Sequence, residues 1–479
     1  MRRRSLFTLA GLAGLALAGC EGVAGNAGSV SFTTPLRIPP VLDPTPDADG
    51  VKRYRLRLRQ GHSELLPGKS ARTWGINGDY LGPTLRARRG DRVAMAVHNT
   101  LDEDSTLHWH GMRLPAVMDG GPHQMIRSGA TWVPQWTVDQ PAATTWYHPH
   151  PHGRTAPHVY RGLAGMFLVD DDAAVALPHA YGIDDIPVII QDKKFTDNGE
   201  LDEDFGGTYG LLGNQILING TYGPVFSVTT TRVRFRLLNG SNAHVYTIGF
   251  ADNRTFHVVA SDGGLLGRPA PVRRLRISPG ERFEIVAEFA PGEKVLLKSF
   301  AGDSDIESGD YDLLKLVTAG KLSPSPALPE TLADVAGPVT GAKVRTFRLG
   351  GSQINGRKMD IARIDEVVPA GAHEIWVIDN ITFAHSFHIH EVAFRVLDID
   401  GRNPPEHLRG PKDTVFVPGK TKVRLAVEFG RHIDPMTPYM YHCHILKHED
   451  RGMMGQFVLV KPGTEDHTPR RLPTTGHSH

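Results

Sequence analysis

Tyr441-His442-Cys443-His444-Ile445-Leu446-Lys447-His448-Glu449-Asp450-Arg451-Gly452-Met453-Met454 runs directly into Gly455-Gln456-Phe457-Val458-Leu459-Val460. A cysteine stands between two histidines; a third histidine follows it by five residues and a methionine by ten. The closing run, glycine followed by mostly apolar residues, reads as a buried β-strand. Arg161-Gly162-Leu163-Ala164-Gly165-Met166-Phe167-Leu168-Val169 repeats the plan of Arg451 to Leu459. The match reads as a diverged internal repeat of β-sandwich domains, which makes the chain all-β.

The 479 residues allow about three domains. The 52 glycines and 35 prolines punctuate short β-branched runs, and long helical patterns are scarce. Strand-like runs fall in three blocks, 51–175, 185–320 and 343–462. Examples are Val93-Ala94-Met95-Ala96-Val97 in the first and Arg232-Val233-Arg234-Phe235-Arg236-Leu237-Leu238 in the second. A Pro/Ala/Ser-rich linker covers about 319–342. Residues 21–50 read as a tether, and 463–479, with His467, His477 and His479, as a disordered tail. A net charge of +1 gives no reason to expect a nucleic-acid partner.

Residues 1–20 read as an export leader, with Arg2-Arg3-Arg4 before an apolar stretch from Leu6 to Ala18. That stretch falls short of the roughly 20 residues of a transmembrane helix. Arg3-Arg4-Ser5-Leu6-Phe7 resembles a twin-arginine signal, although three arginines also make an ordinary basic leader. Leu17-Ala18-Gly19-Cys20 resembles a lipoprotein cleavage box, which would make Cys20 a lipid anchor; cleavage after Ala16-Leu17-Ala18 is the alternative. Either way the mature chain is expected in the periplasm or cell envelope. Cys20 and Cys443 are the only cysteines, and their contexts do not suggest a disulfide framework.

With 24 histidines in 479 residues, about one His-x-His pair is expected by chance. Beside His150/His152, which extends one of them, and His477/His479 in the tail, four fall in strand-like surroundings: His108/His110, His148/His150, His388/His390 and His442/His444. Residues i and i+2 of a strand share a face, so each pair presents two imidazoles to one side. Cys443 lies between His442 and His444 and points the other way; His385, three residues before His388, has the same opposite parity. Two metal sites follow. Eight paired histidines line one, and His385, Cys443, His448 and Met453 converge on the other. Thiolate and thioether with two imidazoles select copper. Zinc is the alternative for any His/Cys cluster, and a methionine in this context argues against it.

These motifs carry a specific resemblance. His108-Trp109-His110-Gly111, His148-Pro149-His150-Pro151-His152-Gly153, His385-Ser386-Phe387-His388-Ile389-His390 and His442-Cys443-His444 through Met453 resemble the four copper-binding motifs of multicopper oxidases. The likeness is to the three-domain bacterial laccase and copper-efflux oxidase branch. It implies a monomer of three cupredoxin-like Greek-key β-sandwich domains holding four copper ions. His385, Cys443 and His448 would bind the type 1 copper, with Met453 axial, and His108 and His388 the type 2 copper. His110, His148 and His444 would bind one type 3 copper, and His150, His390 and His442 the other. The oxygen site is then expected between the first and third domains, with the middle domain as spacer. The implied activity takes single electrons from a small organic reductant or reduced metal ion, through an exposed edge of His448. Cys443 passes them on to the site where dioxygen becomes water.

Asp119 and Glu449 match acidic residues that relay protons in related enzymes. A turn role for Asp119-Gly120-Gly121, and orientation of a histidine by Glu449, are the alternatives. Asp413, in Lys412-Asp413-Thr414, is a candidate support for a type 1 ligand. Trp109 is expected to pack rather than conduct, and His152 finds no vacancy in the ligand count.

The resemblance also departs from the family pattern. Copper-efflux oxidases carry a methionine-rich insert over the type 1 site. The matching region, about 319–360, holds one methionine, Met359. Asn380-Ile381-Thr382-Phe383-Ala384 lacks the Asp and Met ligands of a labile-copper site. An open site preferring phenols and aromatic amines is therefore expected. A metal oxidase for Cu(I), Fe(II) or Mn(II) in copper tolerance is one alternative, and a non-catalytic exported copper-binding protein another. Loss of ligands would support the last, and all twelve are present.

Overall fold

Lys52-Arg53-Tyr54-Arg55-Leu56-Arg57-Leu58 alternates charge with apolar bulk, and it folds accordingly. The strand Lys52–Leu66 buries Tyr54, Leu56 and Leu58 while Arg53, Arg55 and Arg57 face solvent. Asp185–Lys193 is instead buried along its whole length. Its outer face is covered by the first domain, where Ile189 packs with Trp146, Met166 and Leu168. The computed structural model describes residues 25–171, 177–334 and 342–473. The leader and Cys20 lie outside them.

Among the described residues, six sheets stack in pairs as three sandwiches, each around its own apolar core. The architecture is all-β with three domains. In the first domain a four-stranded sheet runs Leu85–Arg88, Gly165–Asp170, Ala143–His148, His108–His110. In the third, a five-stranded sheet runs Glu366–Pro369, Met454–Val460, Asp434–Cys443, His385–Ile389, Thr414–Val417.

The two sheets share a register. His108 faces His148 across one ladder and His388 faces His442 across the other. Tyr147 pairs with Gly165, and Tyr441 with Gly455. In both cases a Cβ on the glycine would come within 2.3 Å of the tyrosine hydroxyl oxygen, so the ring requires that glycine. The internal repeat is therefore physical as well as textual.

Two expectations from composition are corrected. The described part of the tether is strapped to the middle domain. Thr34–Pro35 pairs in parallel with Pro224–Thr230, Leu36 N–H donates to the Val225 carbonyl (2.8 Å), and Gly28 N–H donates to the Asp312 carboxylate (2.7 Å). Pro-rich composition misled because a sheet edge needs only a few free N–H groups and one apolar anchor, here Leu36. The described part of the tail is also held: Leu472 N–H donates to the Ala362 carbonyl (2.7 Å), and Arg471 pairs with Asp360 (3.1 Å). The middle domain's last strand, Tyr311–Ser323, runs past the expected limit at 320.

Candidate metal centres

The paired strands carry the histidines to the junction of the first and third domains. All eight paired histidines, with His385, Cys443, His448 and Met453, are at most 1% exposed. Donor atoms of His110, His148 and His444 lie within 4.8 Å of one another; so do those of His150, His390 and His442, and of His108, His110 and His388. His385, Cys443 and His448 form a separate group, their Nδ1 atoms 3.5 and 3.6 Å from Sγ. Met453 is buried in the same apolar core, and its carbonyl accepts the Cys443 N–H at 3.1 Å. The strand alternation at His442-Cys443-His444 thus feeds two groups of donors from one segment.

Hydrogen bonds fix which nitrogen each ring offers. From Nδ1, His108 donates to the Asp119 carbonyl (2.9 Å), His148 to the Pro149 carbonyl (2.9 Å) and His388 to the Asp413 carbonyl (2.9 Å). His390 donates from Nδ1 to the Asp119 carboxylate (2.8 Å) and His442 to the Cys443 carbonyl (3.2 Å). His150 Nδ1 lies 3.4 Å from the Glu449 carboxylate. The five hydrogen-bonded rings therefore present Nε2 inward, and so does His150: the Nε2 atoms of His150 and His390 lie 3.1 and 3.2 Å from that of His442. His110 is turned round: Nε2 meets Asp413 Oδ1 at 3.0 Å, and Nδ1 faces His148 Nε2 at 3.4 Å.

Burial, reinforced by neighbouring histidines, holds His108, His110, His148, His390 and His444 well below the ordinary imidazole value. The rings are neutral, the form that binds metals. Among the described residues, the buried Nε2 atoms of His108 and His388 and both nitrogens of His444 have no hydrogen-bond partner. Orphaned lone pairs on neutral rings, converging in threes, fit a cation and are too costly for a packed core. Burial pushes the Cys443 thiol up to about 12, so the sulfur becomes a thiolate only as a metal displaces its proton. Cysteine with two imidazoles and a buried methionine suits copper.

The acidic residues sit against these rings. Asp119 touches His108 and His390, and burial raises its carboxyl above the usual range. Glu449 Oε2 lies 3.1 Å from His442 Nδ1. Burial pushes Glu449 up, but His150 and His442 outweigh it and hold the carboxyl well below the usual range. Asp413 is a correction: it supports His110 and His388, not the cysteine group. Burial pushes its carboxyl up, while Arg282 and His110 more than offset that. Trp109 packs against Trp136 and Tyr147 in the first domain's core, and His152 is exposed.

The expected open edge at His448 is also corrected. The ring is fully buried, and Nε2 lies 3.1 Å from the Thr208 carbonyl. Tyr209 and Phe383 flank it, with ring centroids 6.0 and 5.3 Å away. The cover comes from the middle domain, where the Lys447 ammonium donates to the Gly207 carbonyl. Gly210 (φ +95°) lies so close to Lys447 that a Cβ would sit 2.9 Å from the lysine Cβ. Sequence reading sought a methionine-rich cover at about 319–360 and missed a glycine-rich one in the second block. It also missed Arg282 and Gly280. Ser278-Pro279-Gly280-Glu281-Arg282 has the composition of any turn, yet a Cβ on Gly280 would lie 2.8 Å from the His444 ring.

Three multicopper oxidase family models match residues 57–174, 190–295 and 326–463. The chain is 35% identical over 445 residues to a multicopper oxidase of Staphylococcus aureus, covering 91% of this chain and 95% of that protein. It is 37% identical over 481 residues to the cell division protein FtsP of Yersinia pestis, covering 97% and 99%. Among solved structures, the laccase-like multi-copper oxidase CueO of Ochrobactrum sp. matches with a TM-score of 0.82 at 38% identity, covering 89% of this chain and all of that one. Donor groups, fold and relatives agree: the chain belongs to the multicopper oxidase family.

Proposed function

We propose that this copper oxidoreductase couples one-electron oxidation of phenols or aromatic amines to the four-electron reduction of dioxygen to water. The observation that carries the reading is the division of buried donors into one cysteine-centred group and adjoining histidine groups, fed by a single strand end. In this reading His385, Cys443, His448 and Met453 hold a type 1 copper, and His108 and His388 a type 2 copper. His110, His148 and His444 hold one ion of a type 3 pair, and His150, His390 and His442 the other. Bound copper would supply the reversible one-electron chemistry. The chain's part is to position and insulate. Two peptide links join Cys443 to His442 and His444, so the shortest covalent route between the groups is one residue long. Asp119 and Glu449 fix the rings they touch and are the residues we assign to proton transfer.

The organic donor is supported by the Ochrobactrum structure, described with oxidase activity towards lignin model compounds and lignosulfonate. The closed cover over His448 favours a second reading, in which the donor is a small reduced metal ion. The complete ligand set speaks against a non-catalytic role, even with a cell division protein among the relatives. The leader-like residues 1–20 support an exported, envelope-located protein, with Cys20 as a candidate anchor, and we read it as a monomer. Its domains are read as 51–175, 185–323 and 343–462, the middle one extended to the end of the strand Tyr311–Ser323.

Oxygen uptake by copper-loaded protein separates the readings, with 2,6-dimethoxyphenol or Cu(I) as sole donor. Uptake with the phenol supports the first, uptake with Cu(I) alone the second, and none with either sinks both. Cys443→Ser should abolish absorption at roughly 600 nm, the Cu(II)–thiolate signature. A blue Cys443→Ser protein would refute the assignment.

A further inference from the structure

We propose that Arg282, a residue of the middle domain, selects the nitrogen through which His110 faces the oxygen site, by clamping Asp413 against the other nitrogen. The middle domain is then part of that site's machinery rather than a spacer. The proposal rests on the copper reading only for its second readout.

A guanidinium has five N–H donors, and Arg282, fully buried, uses all of them. Nε donates to the Thr144 carbonyl of the first domain at 2.9 Å. Nη1 donates to the Gly280 carbonyl (3.0 Å) and Asp413 Oδ1 (2.7 Å), and Nη2 to the Asp262 carbonyl (3.0 Å) and Asp413 Oδ2 (2.5 Å). One planar fork thus touches all three domains and holds the Asp413 carboxylate by both oxygens. Gly111 keeps the pocket open: a Cβ there would lie 2.5 Å from Arg282 Nη2 and 2.7 Å from Asp413 Oδ2, and φ is +86°.

The consequence falls on His110. A carboxylate gripped by both oxygens can only accept at the imidazole, so Nε2 carries the proton and Nδ1 keeps its lone pair. Thr414 Oγ, which donates to Asp413 Oδ1 at 2.8 Å, lies 3.1 Å from the same Nε2 and reinforces the choice. Were Asp413 released, it would be free to turn away, and the His110 proton could then sit on Nδ1, aimed at His148 Nε2. His388 keeps its Nδ1 bond to the Asp413 carbonyl in either case. The clamp therefore discriminates between two neighbouring rings.

The test reads the ring directly. In copper-free protein labelled with 15N-histidine, two-bond 15N–1H correlations distinguish the tautomers. The His110 signals are those lost in His110→Gln. Wild type should show Nε2–H. Arg282→Lys, which keeps the charge and loses the fork, should show a mixed or reversed His110 tautomer with other histidines unmoved. On loading, it should retain one copper ion roughly 10–100-fold more weakly, with the 600 nm absorption kept. Asp413→Asn, close in shape, is read in the same way and decides the matter if Arg282→Lys does not fold. An unchanged His110 tautomer overturns the proposal, whether copper is retained or lost. Wild-type protein that takes up no copper would sink the oxidase reading and leave the tautomer result standing.

Discussion

Lys193 shows how far a single residue can be pushed here. It is 1% exposed; its ammonium donates to the Tyr160 carbonyl (2.6 Å) and lies 4.3 Å from the Tyr160 ring centre. Burial lowers its pKa to about 7. Between that value and the unfolded value of 10.5 the unfolded chain binds more protons, so stability rises with pH across this window. Below pH 7 the buried charge exacts its full cost. Lys193→Met should therefore raise Tm by roughly 2–4 °C at pH 6, and by clearly less at pH 10, in scanning calorimetry. An equal gain at both pH values would refute the linkage. The metal-centre residues were legible at this scale because a period of two and an unusual donor set coincide at His442-Cys443-His444. Arg282 and Thr208 were not, because ordinary residues acquire their roles from partners more than 100 positions away.

At the scale of elements, strands read well and loops badly. Arg232–Asn239 and Gly165–Asp170 announce themselves by alternation or apolar runs. The loop over His448 is built from glycines and carries no periodicity, so its position depends wholly on what it packs against. Gly210→Val tests that packing. The new side chain meets Lys447 and strains a left-handed backbone, so the loop should lift. The kcat/KM for a bulky phenol should rise roughly tenfold, about 1.4 kcal/mol, with little change for a small donor such as Cu(I). Equal effects on both would mean that the loop does not screen by size.

At the scale of the molecule, the histidine groups make metal a structural tie between the first and third domains. Ligands that bind only the folded state stabilise it by mass action, about 4 kcal/mol when free ligand is a thousandfold above Kd. Copper-free protein should accordingly unfold at lower temperature than loaded protein, and calorimetry with and without a chelator checks this. Identical transitions would mean that the orphaned nitrogens are satisfied some other way. Domain order and the repeat were legible as recurring strand patterns. The segments at either end were misread, since composition does not report which surface a short run meets.

Residues 25–36 strap one edge of the middle domain. Thr34–Pro35 is the outermost strand of the six-stranded sheet of the middle domain, so Pro224–Thr230 lies inside it. Bare, that longer strand would offer a row of unpaired backbone groups, the template on which neighbouring molecules add edge to edge. The strap covers it with a strand of two residues, one a proline that has no N–H to donate onward. Protein lacking residues 1–36 should self-associate in light scattering at concentrations where the full chain stays dispersed. What composition presents as slack thus acts as an aggregation guard.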